Sequence, residues 1–151
     1  DNGEYYTVKI GEKVFTDEDF EIKDIAPEFI GLKGIRFSNK QAQNNVMTFR
    51  IKVNERMRLL VGYFKSKDFK WLQVPNPEIE ARANERVGFT PRARNAAIIS
   101  DLPELDVHNF EFDKGVYDVE MIGKGSYIIL GAVPEKNKVL RRDAKRIVET
   151  E

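Results

Sequence analysis

Hydrophobic and polar side chains alternate with a period of two over most of the chain. The clearest case is residues 46–53, where every second side chain is apolar: Met47, Phe49, Ile51 and Val53. Such alternation predicts a β-strand with one face on a core and the other in water. Residues 59–64 instead form a continuous apolar run. This run predicts a central strand covered on both faces, or a strand that faces a ligand groove.

Turn-forming residues separate further short runs of this kind. They predict strands at residues 5–10, 13–15, 20–22, 34–37, 69–74, 108–112, 116–122 and 127–133. The pair that flanks Gly11-Glu12 and the pair that flanks residues 123–126 are interpreted as β-hairpins. About ten short strands with frequent turns and no strong internal helix predict an all-β protein, folded as a two-sheet antiparallel β-sandwich.

Two stretches break the alternation. Residues 75–97 hold three of the six prolines, and a connection of this length is usually functional or mobile. From residue 137 onward, apolar side chains recur at helical spacing among basic residues, which predicts either a short C-terminal helix or a linker. We therefore expect a β-sandwich domain over residues 1–134 and a charged tail over residues 135–151.

Composition narrows the class of protein. The 151 residues are 41% hydrophobic, which is enough for one folded domain with its own core. No stretch approaches the roughly 18 consecutive apolar residues of a membrane span, so we expect a soluble domain. The chain has no cysteine, which excludes disulfides, thiolate nucleophiles and cysteine-ligated zinc.

The formal net charge is zero, but the charges are unevenly distributed. Residues 1–28 carry a net charge of −6, residues 29–94 of +9, residues 95–134 of −5 and residues 135–151 of +2. Overall neutrality argues against a general nucleic-acid binder, which needs excess basic charge. The segregation has two interpretations: acidic and basic strands neutralise each other as neighbours, or the basic segment recognises an anionic ligand.

An acidic group surrounds the only histidine of the chain. If residues 106–108 are extended, Asp106 and His108 point to the same side, as metal ligands must. Together with Asp101 and Glu104 they would suit calcium, zinc or another transition metal. A solvated acidic loop that leads into a strand explains the same residues more simply. We therefore predict no metal-binding residue and no required cofactor.

The long connection also carries carboxylates. Glycoside hydrolysis needs two carboxylates across a cleft, and the candidates are Glu78, Glu80, Glu85 and Asp68. Four arginines occupy the same connection, so paired or solvated carboxylates are the simpler interpretation. We predict no catalytic residue.

A third group has the chemistry of a carbohydrate site. Sugars present flat apolar C–H faces and fixed pairs of hydroxyls, so their sites combine an aromatic platform with planar amide and guanidinium groups. The predicted ligand-binding residues are Trp71, Tyr63, Arg82, Asn84 and Arg86. For Trp71, the only tryptophan, a position in the core is the alternative to a platform.

Six segments of the chain carry a resemblance to a known kind of module. They are LKGIRFS (32–38), LLVGYFKS (59–66), WLQVP (71–75), ARANERVG (81–88), LPELDVHNFEF (102–112) and GKGSYIILGAV (123–133). Together, over most of residues 5–134, they resemble a galactose-binding-like jelly-roll module of large secreted polysaccharide-degrading proteins of gut Bacteroidetes. The tail after residue 133 lies outside the resemblance.

The resemblance implies a non-catalytic jelly-roll beside a glycosidase or lyase domain, exported to the periplasm or cell surface. Modules of this kind often bind sugar at loops on one end, and some carry a structural calcium. The sequence therefore predicts a carbohydrate-binding or accessory module, with a glycan, anionic if the basic segment holds it, and a neighbouring catalytic domain as partners. The alternatives are a structural module that packs against a catalytic domain and, less favoured, a carboxylate-dependent glycosidase or lyase.

Overall fold

Eleven strands in the described part of the chain form two sheets. The computed structural model describes residues 3–65, 72–80, 91–136 and 142–143. The strands are β1 (Glu4–Thr7), β2 (Ile22–Ile25), β3 (Lys33–Arg36), β4 (Met47–Val53), β5 (Met57–Phe64), β6 (Ile79–Glu80), β7 (Ala93–Ile99), β8 (Leu105–Phe112), β9 (Gly115–Met121), β10 (Tyr127–Pro134) and β11 (Arg142–Asp143). A short helix, α1 (Asn39–Asn44), and a 3-10 turn at Pro27–Phe29 complete these elements.

The two sheets differ in size. The large sheet has the strand order β1-β3-β10-β5-β8-β7-β11, and β2 also pairs with β7. The small sheet has the order β4-β9-β6. These pairings are antiparallel except that of β11 with β7, which is parallel. The predicted two-sheet antiparallel β-sandwich is confirmed.

Strand β5 lies in the middle of the large sheet. It pairs along its whole length with β8 on one side and with β10 on the other. Every residue from Leu59 to Phe64 is buried. Because successive side chains of a strand point to opposite faces, both faces of β5 are covered. The central strand that the apolar run predicts is therefore confirmed.

Strand β4 shows the predicted alternation. Met47, Phe49 and Val53 are buried, whereas Arg50 and Lys52 are exposed. Its inward face packs toward the large sheet and its outward face lies in water. The prediction of a half-buried strand is confirmed.

Aromatic side chains join the two sheets. The ring of Phe37 lies 5.2 Å from the ring of Phe49 on β4 and 5.0 Å from that of Tyr127 on β10. Phe112 on β8 meets Tyr117 on β9 edge-on at 4.9 Å. Such tilted and edge-on pairs add to the free energy gained from burying the ring area itself. They place the core between the sheets.

The two predicted hairpins are wrong. Strands β9 and β10 flank residues 122–126, yet β9 pairs with β4 in the small sheet and β10 pairs with β3 and β5 in the large one. Strand β1 pairs with β3, while Lys13 and Phe15 form single bridges to Glu21 and Phe37. A turn signal marks where the chain reverses. Which sheet receives the next strand depends instead on which apolar faces meet, and local sequence does not show this.

Sequence patterns also missed strands β6 and β7 and helix α1. Strand β7 begins at Ala93, inside the predicted long connection, and pairs with β8 and β2. Helix α1 has six residues, too few to show a helical period. No helix in the described ranges is long and apolar enough to span a membrane.

Two predicted elements lie partly beyond the described residues. Residues 72–74, predicted to end a strand, are not in one, and residues 69–71 are outside the description. In the tail, residues 142–143 form β11 beside β7, so these two are extended rather than helical. Residues 137–141 and 144–151, where the helix was predicted, are outside the described ranges.

A single carboxylate fixes the start of α1 from a distant loop. Asp17 accepts hydrogen bonds from the backbone N–H groups of Asn39 (2.8 Å) and Lys40 (3.1 Å) and from Ser38 Oγ (2.9 Å). Ser38 is also the N-cap and accepts from the Gln41 N–H. Burial raises the pKa of the Asp17 carboxyl, but these hydrogen bonds together outweigh it and hold the pKa below its usual value. The ionised form is therefore the one that stabilises the fold.

We expect Asp17→Ala to lower the free energy of unfolding at pH 7 by about 1 kcal/mol, the typical cost of losing a helix cap. Because the folded-state pKa is depressed, this contribution is complete above the ordinary Asp pKa of about 3.9 and is lost as the pH falls through the lower folded-state value. Urea unfolding at neutral and acid pH measures it. Asp19→Ala is the control, since Asp19 is 93% exposed and pairs only with the exposed Lys13 in the described structure. A loss at pH 7 that persists undiminished in acid would contradict the assignment.

Candidate functional site

Of the five predicted ligand-binding residues, the structure describes Tyr63. Trp71, Arg82, Asn84 and Arg86 lie outside the described residues. Tyr63 is near the end of β5, 4% exposed. Its ring meets His108 edge-on at 5.1 Å and lies 6.3 Å from the ring of Tyr127. This ring is packed in the core rather than presented as a surface on which a sugar could stack.

Two tyrosine hydroxyls lie together inside this end of the sandwich. Neither Tyr63 Oη nor Tyr127 Oη has a hydrogen-bond partner among the described residues. Burial, and then the negative charge of Glu78, raises the pKa of Tyr63 well above its usual value. Burial and the neighbouring Tyr63 do the same to the pKa of Tyr127. Both hydroxyls therefore stay protonated, so they are neutral polar groups inside the sandwich.

A polar cluster lies at the surface beside this end of β5. Lys65 Nζ donates to Asn95 Oδ1 at 2.6 Å and lies 3.7 Å from Asp106 Oδ1, which also accepts the Asn95 N–H at 2.9 Å. Asn95 has a φ of 52° and occupies a register shift between β7 and β8. A bulge of this kind redirects a side chain out of the regular ladder. Lysine, amide and carboxylate groups are thus brought together at Lys65, which precedes the predicted residue Trp71 by six positions in the sequence.

The residues considered for metal binding and catalysis are placed differently. Asp106 is engaged by Lys65 and Asn95, and His108 is buried against Tyr63. No three His, Asp or Glu side chains in the described ranges are grouped to hold a metal ion. Of the candidate catalytic carboxylates, Glu78 is half-buried and Glu80 is exposed on β6; Glu85 and Asp68 are outside the description.

The described residues also form an open groove, which the sequence patterns did not indicate. It lies between β1, the edge of the large sheet, and β4, the edge of the small sheet, and has a volume of about 850 Å³. Ile35 and Phe49 contribute apolar surface, and Tyr5, Arg50 and Lys52 line it as exposed side chains. The volume lies within the range of roughly 300–1,000 Å³ that is typical of small-molecule sites.

The groove exists because the large sheet extends past the small one. Tyr5, Ile35, Ile129 and Val61 are successive register partners across the large sheet, so their side chains share its inward face. Val61 and Ile129 are fully buried, Ile35 is half-buried and Tyr5 is 67% exposed. This increase in side-chain exposure from Val61 to Tyr5 shows where the small sheet stops covering the large one. A residue on an inward face is predicted to be core, and this is why sequence reasoning missed Tyr5.

Gly3, at one end of the groove, allows the chain to lie close against β3. A Cβ atom on Gly3 would lie 2.7 Å from Ile35 Cγ2 and 2.9 Å from the Arg36 carbonyl oxygen. It would also lie 3.7 Å from the ring of Phe49 on the facing edge. Any larger residue would therefore clash with β3 beside the start of β1, whereas its distance to Phe49 would be an ordinary van der Waals contact.

Comparisons with known proteins bear on the fold. No family model matches the chain, and no curated protein is similar to it at a significant level. Four solved chains are significantly similar. One is a GH138 enzyme targeting pectin rhamnogalacturonan II, with a TM-score of 0.78 and 24% sequence identity over 94% of this chain. At that identity the similarity establishes a shared fold. The chain spans 16% of the length of that enzyme, which is the size of one domain within it.

We expect Tyr63→Phe to leave the free energy of unfolding unchanged within about 0.5 kcal/mol, or to raise it, since the hydroxyl it removes is buried without a partner in the described structure. Tyr117→Phe is the matched control: its hydroxyl donates to the Asp113 carbonyl oxygen at 2.7 Å, and its loss should cost about 1 kcal/mol. Thermal or urea unfolding of both variants measures this. If Tyr63→Phe costs as much as Tyr117→Phe, the Tyr63 hydroxyl has a partner.

Proposed function

We propose that this chain is a non-catalytic accessory module of a larger, secreted glycan-degrading protein and that it binds carbohydrate. The observation that carries the proposal is the structural match, in which nearly the whole chain corresponds to a domain-sized part of an enzyme that targets a pectin. A β-sandwich carried within a long polysaccharide-degrading chain holds the enzyme at its substrate or supports its catalytic domain. Fold similarity alone does not assign a function, so the site has to supply the rest.

The described residues around Tyr63 support a binding role for the neighbouring segments. The Lys65, Asn95 and Asp106 side chains form a hydrogen-bonded set at the surface, with the donors and acceptors that sugar hydroxyls use. In the sequence, Trp71 follows Lys65 by six residues and Arg86 precedes Asn95 by nine. The proposal therefore keeps Trp71 as the sugar platform and Arg82, Asn84 and Arg86 as hydrogen-bonding groups. Tyr63, whose ring is buried in the core, is no longer among the residues proposed to contact the sugar.

The alternative within the same class is a module that only packs against a catalytic domain. The chain corresponds to 16% of the length of the GH138 enzyme. This domain-sized match is as consistent with a structural module as with a binding module. Exposed apolar side chains are the feature it needs. In the described structure these include Ile10, Ile30, Ile98 and Ile122.

A glycan panel separates the two. We expect wild-type protein to bind at least one pectic or other plant oligosaccharide, with a change in the fluorescence of Trp71. Trp71→Ala should weaken that binding about tenfold, because loss of a central aromatic anchor commonly costs 1.4 kcal/mol or more. Isothermal titration calorimetry measures the affinity of the variant that lacks the fluorophore.

Arg82→Gln should also weaken binding, and Arg94→Gln is its control, because Arg94 is an exposed arginine on β7 outside the predicted set. If the two arginine variants weaken binding equally, the effect comes from the lost net charge and not from a contact made by Arg82. Absence of binding to every glycan would remove the binding role and leave the structural module.

A further inference from the structure

We propose that the groove between β1 and β4 is a second ligand site, separate from the residue 71–86 segment, and that it binds a glycan bearing carboxylate groups. The inference rests on the proposed function, since it takes the ligand to be a carbohydrate. It is argued from three features of the groove: its cations, its exposed aromatic ring and the chemistry of its edge strand.

The cations of the groove have no ion-pair partner among the described residues. Arg50 and Lys52 project from the outward face of β4, and no carboxylate in the described part of the chain forms an ion pair with either. Asp118 is the direct register partner of Arg50, yet the two do not pair. Glu4, the other acid in the lining, is already bound by Arg36 at 3.0 Å. As far as the structure describes the chain, the groove thus has two cations available to a negatively charged ligand.

Tyr5 supplies a surface on which a sugar ring can stack. Its side chain is 67% exposed, and the ammonium group of Lys33 lies 5.5 Å from its ring centroid. Because Tyr5, Arg50 and Lys52 all line the same groove, a ligand can contact the ring and the cations on β4 together. Apolar C–H groups pack on the ring, while guanidinium and ammonium groups donate charge-assisted hydrogen bonds to carboxylates.

The edge strand itself favours a sugar over a polypeptide. Among the strands that the structure describes, none pairs with β4 on this side of the small sheet, and such an edge is the usual place for an added strand. Charged side chains on an edge, lysine above all, oppose strand addition, and β4 carries Arg50 and Lys52 at alternate positions. Nucleic acid is disfavoured because Asp118 and Glu4 line the same groove and the whole chain has no net charge. A flexible, hydroxyl-rich ligand with scattered carboxylates fits these constraints best.

Oligogalacturonate and its methyl ester test the inference, because they share one backbone and differ in charge. Isotope-labelled wild-type protein is titrated with each, and NMR shift changes locate the contact. We expect changes at Tyr5, Arg50 and Lys52 with the acid. The variant Arg50→Gln/Lys52→Gln should bind the acid at least about tenfold more weakly, the effect of losing charge-assisted hydrogen bonds, with little change for the ester.

The control is Lys9→Gln/Lys23→Gln, which removes two exposed lysines outside the groove and changes the net charge equally. This control variant should bind the acid with an affinity within about twofold of that of the wild type. Its fold should be intact, since surface ion pairs such as Lys23–Glu21 contribute little to stability. Tyr5→Ala should weaken binding of both acid and ester, because it removes the stacking surface rather than a charge. Unfolding curves of each variant confirm that the fold is intact.

The outcomes separate this inference from the proposed function. If the acid binds with shift changes elsewhere, or if Arg50→Gln/Lys52→Gln binds it as well as the control does, the groove site is overturned and carbohydrate binding stands. If Trp71→Ala abolishes binding of the acid while the groove variant does not, the ligand belongs to the other site and the groove is again excluded. If the wild type binds neither compound, the groove inference fails, and the proposed function rests on the separate glycan panel.

Discussion

The fold depends on covering β5 on both faces. The uninterrupted apolar run from Leu59 to Phe64 cannot lie at a surface without exposing several large side chains, each worth about 1.5–3 kcal/mol when buried. One face meets the small sheet through the row that includes Tyr63. The other face must also be shielded from water by apolar side chains. The connections from β1 to β2 and from β2 to β3 contribute three such side chains to the same core, those of Val8, Val14 and Phe29. Because β1 and β3 lie near one edge of the sheet and β2 pairs at the far side, both connections must cross it.

The same requirement explains why neighbouring strands in sequence are rarely partners. A strand with one apolar face, such as β4 or β9, buries that face when it lies in the small sheet. Strands β8 and β10 flank β5, and both of their faces have to be buried. The chain therefore changes sheet between β4 and β5 and again between β9 and β10. Turn residues at these points allow the chain to reverse. Which sheet the next strand joins depends on where its apolar side chains can be buried.

Unequal sheet widths have a direct chemical consequence. Three described strands cannot cover a sheet that extends from β1 to β7, so the row from Val61 to Tyr5 passes from core to solvent within four strands. Tyr63, in contrast to Tyr5, lies where the large sheet is fully covered, and its hydroxyl does not reach water. Both tyrosines have an aromatic residue next to them in the sequence, Tyr6 and Phe64, yet one is exposed at a groove and the other is buried in the core.

The sequence by itself determined the fold class, the central position of β5 and the two-faced character of β4, because these follow from the order of apolar and polar residues within single strands. It also placed Arg50 and Lys52 in solvent. Only the tertiary structure decided which strands pair, that β7 lies within the supposed long connection, that Tyr63 is core and that Tyr5 is exposed beside Arg50. These depend on contacts between residues far apart in the chain and on how far one sheet extends past the other. A residue pattern with a period of two is the same whether the facing sheet is present or absent, so it cannot reveal the groove that forms where that sheet ends.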